Sequence, residues 1–192
     1  YEEAEIKRDV KITCIYEGTS EIQQNIISTF RWKKTRKSKG EFYGALAAEM
    51  ESLQMERDDL GARFYGVAAK SLNELVNRVH ENKLIRYQFI MFCLADLMAH
   101  IEVGISLARK AARLSDENDP RAEHFKAVSR IFANMVSDLT VGSALKILSG
   151  AGAFDTEALG DFMAVTHCDE LSDSYRNIIS DMDRVADTLF ER

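Results

Sequence analysis

The sequence contains little proline and shows no strand pattern. One proline and ten glycines occur in 192 residues, and residues that favour helices dominate. No stretch alternates apolar and polar residues between turn signals, as a half-buried strand would. These absences favour an all-α chain, and a hydrophobic content of 46% is enough for one sizeable core or two small ones.

The sequence also has few cysteines, no excess of positive charge and no long apolar run. Cys14, Cys93 and Cys168 are odd in number and have no CxxC spacing, which indicates reduced thiols in an intracellular compartment rather than a disulfide framework. The net charge of −6 disfavours general binding to nucleic acid. The longest apolar run, 89–95, is too short to span a bilayer.

Positive charge is concentrated in one short tract, residues 31–39, around Trp32. Its six Lys and Arg residues leave the rest of the chain at about −12, from 19 cations and 31 carboxylates. A basic tract that ends in Gly40 indicates a frayed helix end or a linker. We therefore place a boundary after Gly40, and keep open whether the tract is a solvated linker or contacts anionic lipid or an acidic partner.

Beyond that boundary, helical periodicity continues almost to the end and predicts an up-and-down bundle of roughly four helices. Pro120 and its neighbours (115–121) break the pattern, and a Gly-rich turn occupies 149–161. The apolar stripe on the second helix is expected to be bundle core, or else a dimer interface. The predicted helices are 42–80, with weak points at Gly61 and Gly66, then 83–114, 120–148 and 169–189. The stripe comprises Phe89, Phe92, Leu97, Ile101 and Ile105.

One carboxylate, Glu17, stands between an apolar run and the turn Gly18-Thr19-Ser20. Ser20 is predicted to cap the next helix, with Gln23 returning the bond in a capping box. Ile22, Ile26, Ile27 and Phe30 mark one face of that helix. Taken alone, a glutamate in this position is an ordinary turn residue.

The surrounding segment RDVKITCIYEGTSEIQQNII (8–27) closely resembles the C-terminal signature of the acyl-CoA dehydrogenases. The resemblance implies an FAD-dependent oxidation of acyl-CoA to trans-2-enoyl-CoA, in which a carboxylate removes the α-proton. By this resemblance Glu17 is the catalytic base and Gly18 lies against the substrate thioester. Thr19, Ser20 and Glu21 match positions that contact FAD. Gln24 departs from the signature, because Arg is common there.

Residues 82–132 look like the extra C-terminal helical domain of the very-long-chain subgroup. The resemblance then makes 1–40 the end of the catalytic helical domain and 41–192 an appended bundle. It implies a parent that is a homo-oligomer, reduces an electron-transferring flavoprotein and makes peripheral membrane contact. The expected location is bacterial cytoplasm or the mitochondrial matrix side. The chain alone is expected to hold little FAD and to lack activity.

Two other interpretations of the chain remain open. A non-catalytic helical module could serve oligomerisation, partner docking or membrane attachment. Cys93, Asp96 and His100 lie one turn apart and indicate either a helix–helix hydrogen bond or metal ligation. No Glu precedes a His by three residues, as a di-metal bundle requires, so the hydrogen bond is favoured.

Overall fold

The computed structural model describes residues 2–12 and 15–190, so Cys14 lies outside the described residues. All regular elements in these ranges are helical and no strand occurs among them, which confirms the all-α prediction. Short 3₁₀ helices occupy Leu84–Arg86 and Cys168–Tyr175, and a π-helical turn occupies Leu145–Ser149. The α-helices are α1 (Glu2–Lys11), α2 (Ser20–Lys37), α3 (Glu41–Glu56), α4 (Ala62–Glu81), α5 (Gln88–Asp116), α6 (Ala122–Ala144), α7 (Ala158–Thr166) and α8 (Ile178–Leu189).

Helices α4, α5 and α6 form the centre of the bundle. Helix α3 packs on α4, α2 packs on α5, and α8 packs on α6. The centre is filled by fully buried aliphatic side chains, which supply most of the apolar area removed from water. They include Leu72, Leu75, Leu97, Met98 and Ile101.

In the centre of the bundle, α5 packs directly against the ring of a tyrosine on α4. A methyl group added at Gly104 would overlap the ring of Tyr65, which is fully buried. The Tyr65 hydroxyl donates a 2.7 Å hydrogen bond to the backbone oxygen of Ser129 on α6. One ring therefore links the three central helices, and only a glycine permits this approach.

Two predicted helices are divided in the structure. The segment predicted as one helix over 42–80 breaks before Gly61, which has a φ of 71°, whereas Gly66 lies inside α4. The segment predicted over 169–189 becomes a 3₁₀ helix and then α8, separated by Asn177 with a φ of 63°. In both cases a residue with left-handed backbone stands directly before the second helix.

The basic tract continues α2 to Lys37, so the interpretation of it as a solvated linker is wrong for this part. Thr35 is fully buried. The Arg36 guanidinium donates a 2.8 Å hydrogen bond to Asn77 on α4. Arg31 donates to Glu102 on α5 at 2.7 and 2.6 Å. Two of the six cations thus hold α2 on the bundle.

By length and composition alone, α5 and the continuous segment Ala122–Ser149 could each cross a membrane. Their most apolar windows are 56% and 50% buried inside the fold. The mean hydropathy of these helices is therefore high enough for a membrane span, although the uninterrupted apolar run 89–95 is too short for one. Packing in the bundle core accounts for the same composition.

Candidate functional site

The loop between α1 and α2 turns sharply at Glu17 and Gly18. The Tyr16 amide donates a 2.9 Å hydrogen bond to the Ile12 oxygen, which closes the turn after α1. Glu17 has a φ of 60° and Gly18 a φ of 115°. The second value is unfavourable for any residue with a Cβ atom, so Gly18 is what allows the chain to enter α2 here.

Helix α2 begins at Ser20, with Thr19 as its N-cap in an extended conformation. No side-chain hydrogen bond caps the helix, so the predicted capping box between Ser20 and Gln23 does not form. The Gln23 amide instead donates a 2.7 Å hydrogen bond to the backbone oxygen of Glu17. Gln23 therefore fixes the backbone of the proposed base rather than closing the helix end.

The carboxylate of Glu17 is exposed, and no described side chain pairs with it. Glu21 behaves differently, because hydrogen bonds from its own backbone amide and from the Thr19 side chain lower the pKa of Glu21. Thr19 and Ser20 are also exposed, and Gly18 is half-buried. The five predicted site residues thus form one continuous surface segment that holds two carboxylates with different surroundings.

One turn into α2, Gln24 attaches this segment to the bundle. Its amide nitrogen donates a 2.7 Å hydrogen bond to the Asp96 carboxylate on α5. His100 Nδ1 lies 2.8 Å from the Asp96 backbone oxygen. The helix–helix hydrogen bond predicted for this polar cluster is confirmed. No three His, Cys, Asp or Glu side chains converge as metal ligands within the described ranges.

A second attachment joins α2, α3 and α5, and sequence reasoning missed it. The Tyr43 hydroxyl lies 3.1 Å from the Glu102 carboxylate that also binds Arg31. Burial and the neighbouring Glu102 charge raise the pKa of Tyr43 far above its ordinary range. The partners lie 59 and 71 positions apart, so no local spacing could have indicated the network.

The apolar face predicted for α2 points mostly away from the bundle. Ile22, Ile26 and Phe30 are 52%, 44% and 68% exposed, and only Ile27 packs against the core. On α5 the core interpretation is confirmed for the buried residues Leu97, Ile101 and Ile105. Phe92 is half-buried, and Phe89 is exposed, so the core interpretation is wrong for Phe89. An exposed apolar stripe therefore begins directly beside the loop that carries Glu17.

The greater part of the described fold resembles a known family. The family profile described as "Acyl-CoA dehydrogenase, C-terminal domain" matches residues 46–173, about two thirds of the chain. The matched segment runs from α3 to the 3₁₀ helix Cys168–Tyr175, so it begins after the loop with Glu17. Neither the curated proteins nor the solved structures gave a match.

Proposed function

Because the chain belongs to the acyl-CoA dehydrogenase family through its C-terminal domain, we propose that it is the C-terminal part of an FAD-dependent acyl-CoA dehydrogenase. The reaction is the α,β-dehydrogenation of an acyl-CoA thioester to the trans-2-enoyl-CoA. The observation that carries the proposal is the exposed carboxylate of Glu17 on a fixed turn. That carboxylate lies on the surface of the protein and is not paired with another described side chain, so it can accept a proton.

In this proposal the Glu17 carboxylate accepts the α-proton of the thioester. Such a proton is weakly acidic, so its removal needs a base that is already positioned. The backbone at Glu17 is held from one side by the Gln23 hydrogen bond and from the other by the left-handed turn at Gly18. A Cβ atom at Gly18 would crowd the side chains of Ile22 and Gln23 at 3.1 and 3.3 Å, so the glycine lets this turn pack closely beside the base.

The start of α2 fits the polar edge of a flavin better than its diphosphate. A free helix N-terminus attracts anions, and Ser20 offers an exposed hydroxyl donor, whereas the Thr19 side chain already hydrogen-bonds to Glu21. Glu21 also places a carboxylate in the first turn, which would repel a diphosphate. FAD, when bound, would accept the hydride from the β-carbon, and the Ser20 hydroxyl would orient it.

The exposed stripe of Ile22, Ile26 and Phe30 supports the same proposal. Apolar surface of this kind marks a place where further protein packs. We propose that the catalytic part of the parent dehydrogenase covers it and brings the acyl-CoA site to Glu17. The parent would act as a homo-oligomer and pass electrons to an electron-transferring flavoprotein. The 192-residue chain alone should hold little FAD, and a yellow, active preparation of it would contradict this.

The test uses the full-length parent with Glu17→Gln and, as a control, Glu56→Gln, which changes an exposed carboxylate at the end of α3. Substrate is added without an electron acceptor, and bleaching of the flavin absorbance is followed in a single turnover. Glu17→Gln should slow bleaching roughly 10²- to 10⁴-fold, the usual contribution of a general base. Glu56→Gln should leave the rate within a few-fold. Full-rate bleaching by Glu17→Gln would remove this residue from the role of base.

A second function, membrane attachment by a non-catalytic helical module, is favoured by one feature. Exposed Lys33, Lys37 and Lys39 lie near the apolar stripe of α2, as on helices that lie in a membrane interface. Vesicle flotation with anionic lipid tests it, using the chain and a variant with these three lysines changed to Glu. Salt-sensitive flotation that the variant loses would support attachment, and no flotation of the unaltered chain would exclude it.

A further inference from the structure

A cavity of about 490 Å³ is lined by residues between positions 137 and 175, more than 100 positions along the chain from the Glu17 loop. Its walls come from the last turns of α6, from α7 and from the 3₁₀ helix that follows α7. The volume falls in the range of small-molecule sites. Its lining includes Asp138, Gly142, Phe162, Met163, Cys168 and Tyr175.

The floor of the cavity is apolar. Phe162 is fully buried, and Leu171 and Ala144 are 1% and 2% exposed. Cys168 is also buried, and burial raises the pKa of its thiol, so the sulfur is neutral near pH 7. A floor of this composition offers contacts to hydrocarbon and no charge for an ion.

The mouth carries negative charge and no cation. The Tyr175 hydroxyl donates a 2.6 Å hydrogen bond to the Asp138 carboxylate, and Asp169 lies on the same rim. None of the lining residues is Lys or Arg. A carboxylate or phosphate at the mouth would meet repulsion from both aspartates, whereas an uncharged polar group could donate to Asp138.

One glycine keeps the wall of the cavity open. A Cβ atom added at Gly142 would touch nothing within 4 Å, and the backbone there does not have a positive φ. Glycine inside a helix lowers stability by about 0.5–1 kcal/mol relative to alanine. No turn or close helix contact explains it here, and the next turn of α6 widens into the π-helical segment Leu145–Ser149. Both features enlarge the space beside α7.

We propose that this cavity binds a neutral, mainly aliphatic small molecule. Its hydrocarbon part lies on Phe162 and Cys168, and its uncharged polar end lies at Asp138 and Tyr175. The site is separate from the Glu17 loop and does not depend on the dehydrogenase reaction.

The test titrates the chain with decanol and follows the side-chain methyl resonances of methionines labelled with ¹³C. Met163 lines the mouth and is 37% exposed, and its signal is assigned with Met163→Leu. Met55 on α3, 82% exposed and away from the cavity, reports non-specific binding. Decanol should shift the Met163 signal saturably and leave Met55 in place. Decanoate at neutral pH should bind at least tenfold more weakly.

Gly142→Leu places a side chain in the cavity and should abolish the saturable Met163 shift. Gly44→Leu is the matched control, because Gly44 lies inside α3 and its added Cβ also meets nothing within 4 Å. Both changes replace a helical glycine with a better helix former, so both variants should fold. An unsaturable Met163 shift, or equal binding by Gly142→Leu, would overturn the proposed site. Equal binding of decanoate would overturn the preference for a neutral ligand.

Discussion

Arg31 on α2 and Glu102 on α5 form a two-point ion pair, with Nε–Oε1 and Nη2–Oε2 distances of 2.7 and 2.6 Å. The hydroxyl of fully buried Tyr43 approaches the same carboxylate at 3.1 Å. One carboxylate thus satisfies a cation of α2 and a buried donor of α3. This junction fixes the position of α2 and therefore the position of the Glu17 loop, which leads directly into α2.

Replacing Glu102 with Ala should destabilise the protein by roughly 1–3 kcal/mol. The reason is that the buried Tyr43 hydroxyl would lose its acceptor and Arg31 its partner. Urea unfolding measures the loss. The control is Glu49→Ala, which breaks a similar two-point pair with Arg109 at 2.6 and 2.6 Å but involves no buried tyrosine. We expect it to cost at most about 1 kcal/mol. Equal losses would show that Tyr43 contributes nothing.

Replacing Gly104 with Ala should destabilise the fold by roughly 1–3 kcal/mol. The new methyl group would overlap the Tyr65 ring, which is fixed by its bond to Ser129, so α4 and α5 must separate. Thermal unfolding followed by circular dichroism measures the effect. Gly142→Ala is the paired variant, and we expect it to raise stability by about 0.5–1 kcal/mol. A Gly104→Ala protein with unchanged melting would contradict the close packing described above.

Replacing Asp181 with Asn should release α8 from α6. Asp181 is 5% exposed, and its carboxylate accepts a 2.8 Å hydrogen bond from Arg130 Nε. Arg130 also donates to the backbone oxygen of Asp59, so the substitution leaves a partly buried cation without the carboxylate that pairs with it. We expect a loss of roughly 1–3 kcal/mol. Amide hydrogen exchange should speed up first in Ile178–Leu189. Uniform acceleration across the bundle would contradict a local role.

Asp119 should give the protein a specific acid sensitivity. Hydrogen bonds from the Arg121 side chain and amide lower the pKa of Asp119 to about 2, from its usual 3.8. Because the folded-state pKa is the lower one, the stabilisation is complete above pH 3.8 and is lost as the pH falls toward 2. Carboxyl NMR titration should find the low midpoint, and Arg121→Ala should return it toward the usual value. A normal midpoint in the unaltered protein would refute the interaction.

The sequence was sufficient to predict the fold class but not all helix ends. Periodicity identified the segments that become α5 and α6, because a buried helix repeats its apolar residues at the same spacing wherever it packs. It did not find the break at Asn177, since an asparagine in left-handed backbone leaves no mark on the apolar pattern. The division of the chain after Gly40 stays a prediction.

The candidate site was predictable only as far as it is continuous in sequence. Glu17 to Glu21 lie together because they are consecutive, and their proposed roles come from the resemblance of the segment. Gln24 was noted only as a departure from the family pattern, and its bond to Asp96 spans 72 positions. The cavity near Gly142 was also missed, because its walls come from three separate elements. Side-chain contacts between distant helices are decided by packing, which periodicity does not encode.

The packing of α2 has a practical consequence for anyone who trims the protein. A version starting at Glu41 would lose Gln24, Arg31 and Arg36 in one cut. It would carry a net charge of about −9 instead of −6, from 16 cations and 25 carboxylates. Asp96 and Glu102 on α5 would then lose the hydrogen bonds that Gln24 and Arg31 donate to them. The shortened form should be less stable at low ionic strength, because only salt ions would then screen the repulsion among its unpaired carboxylates.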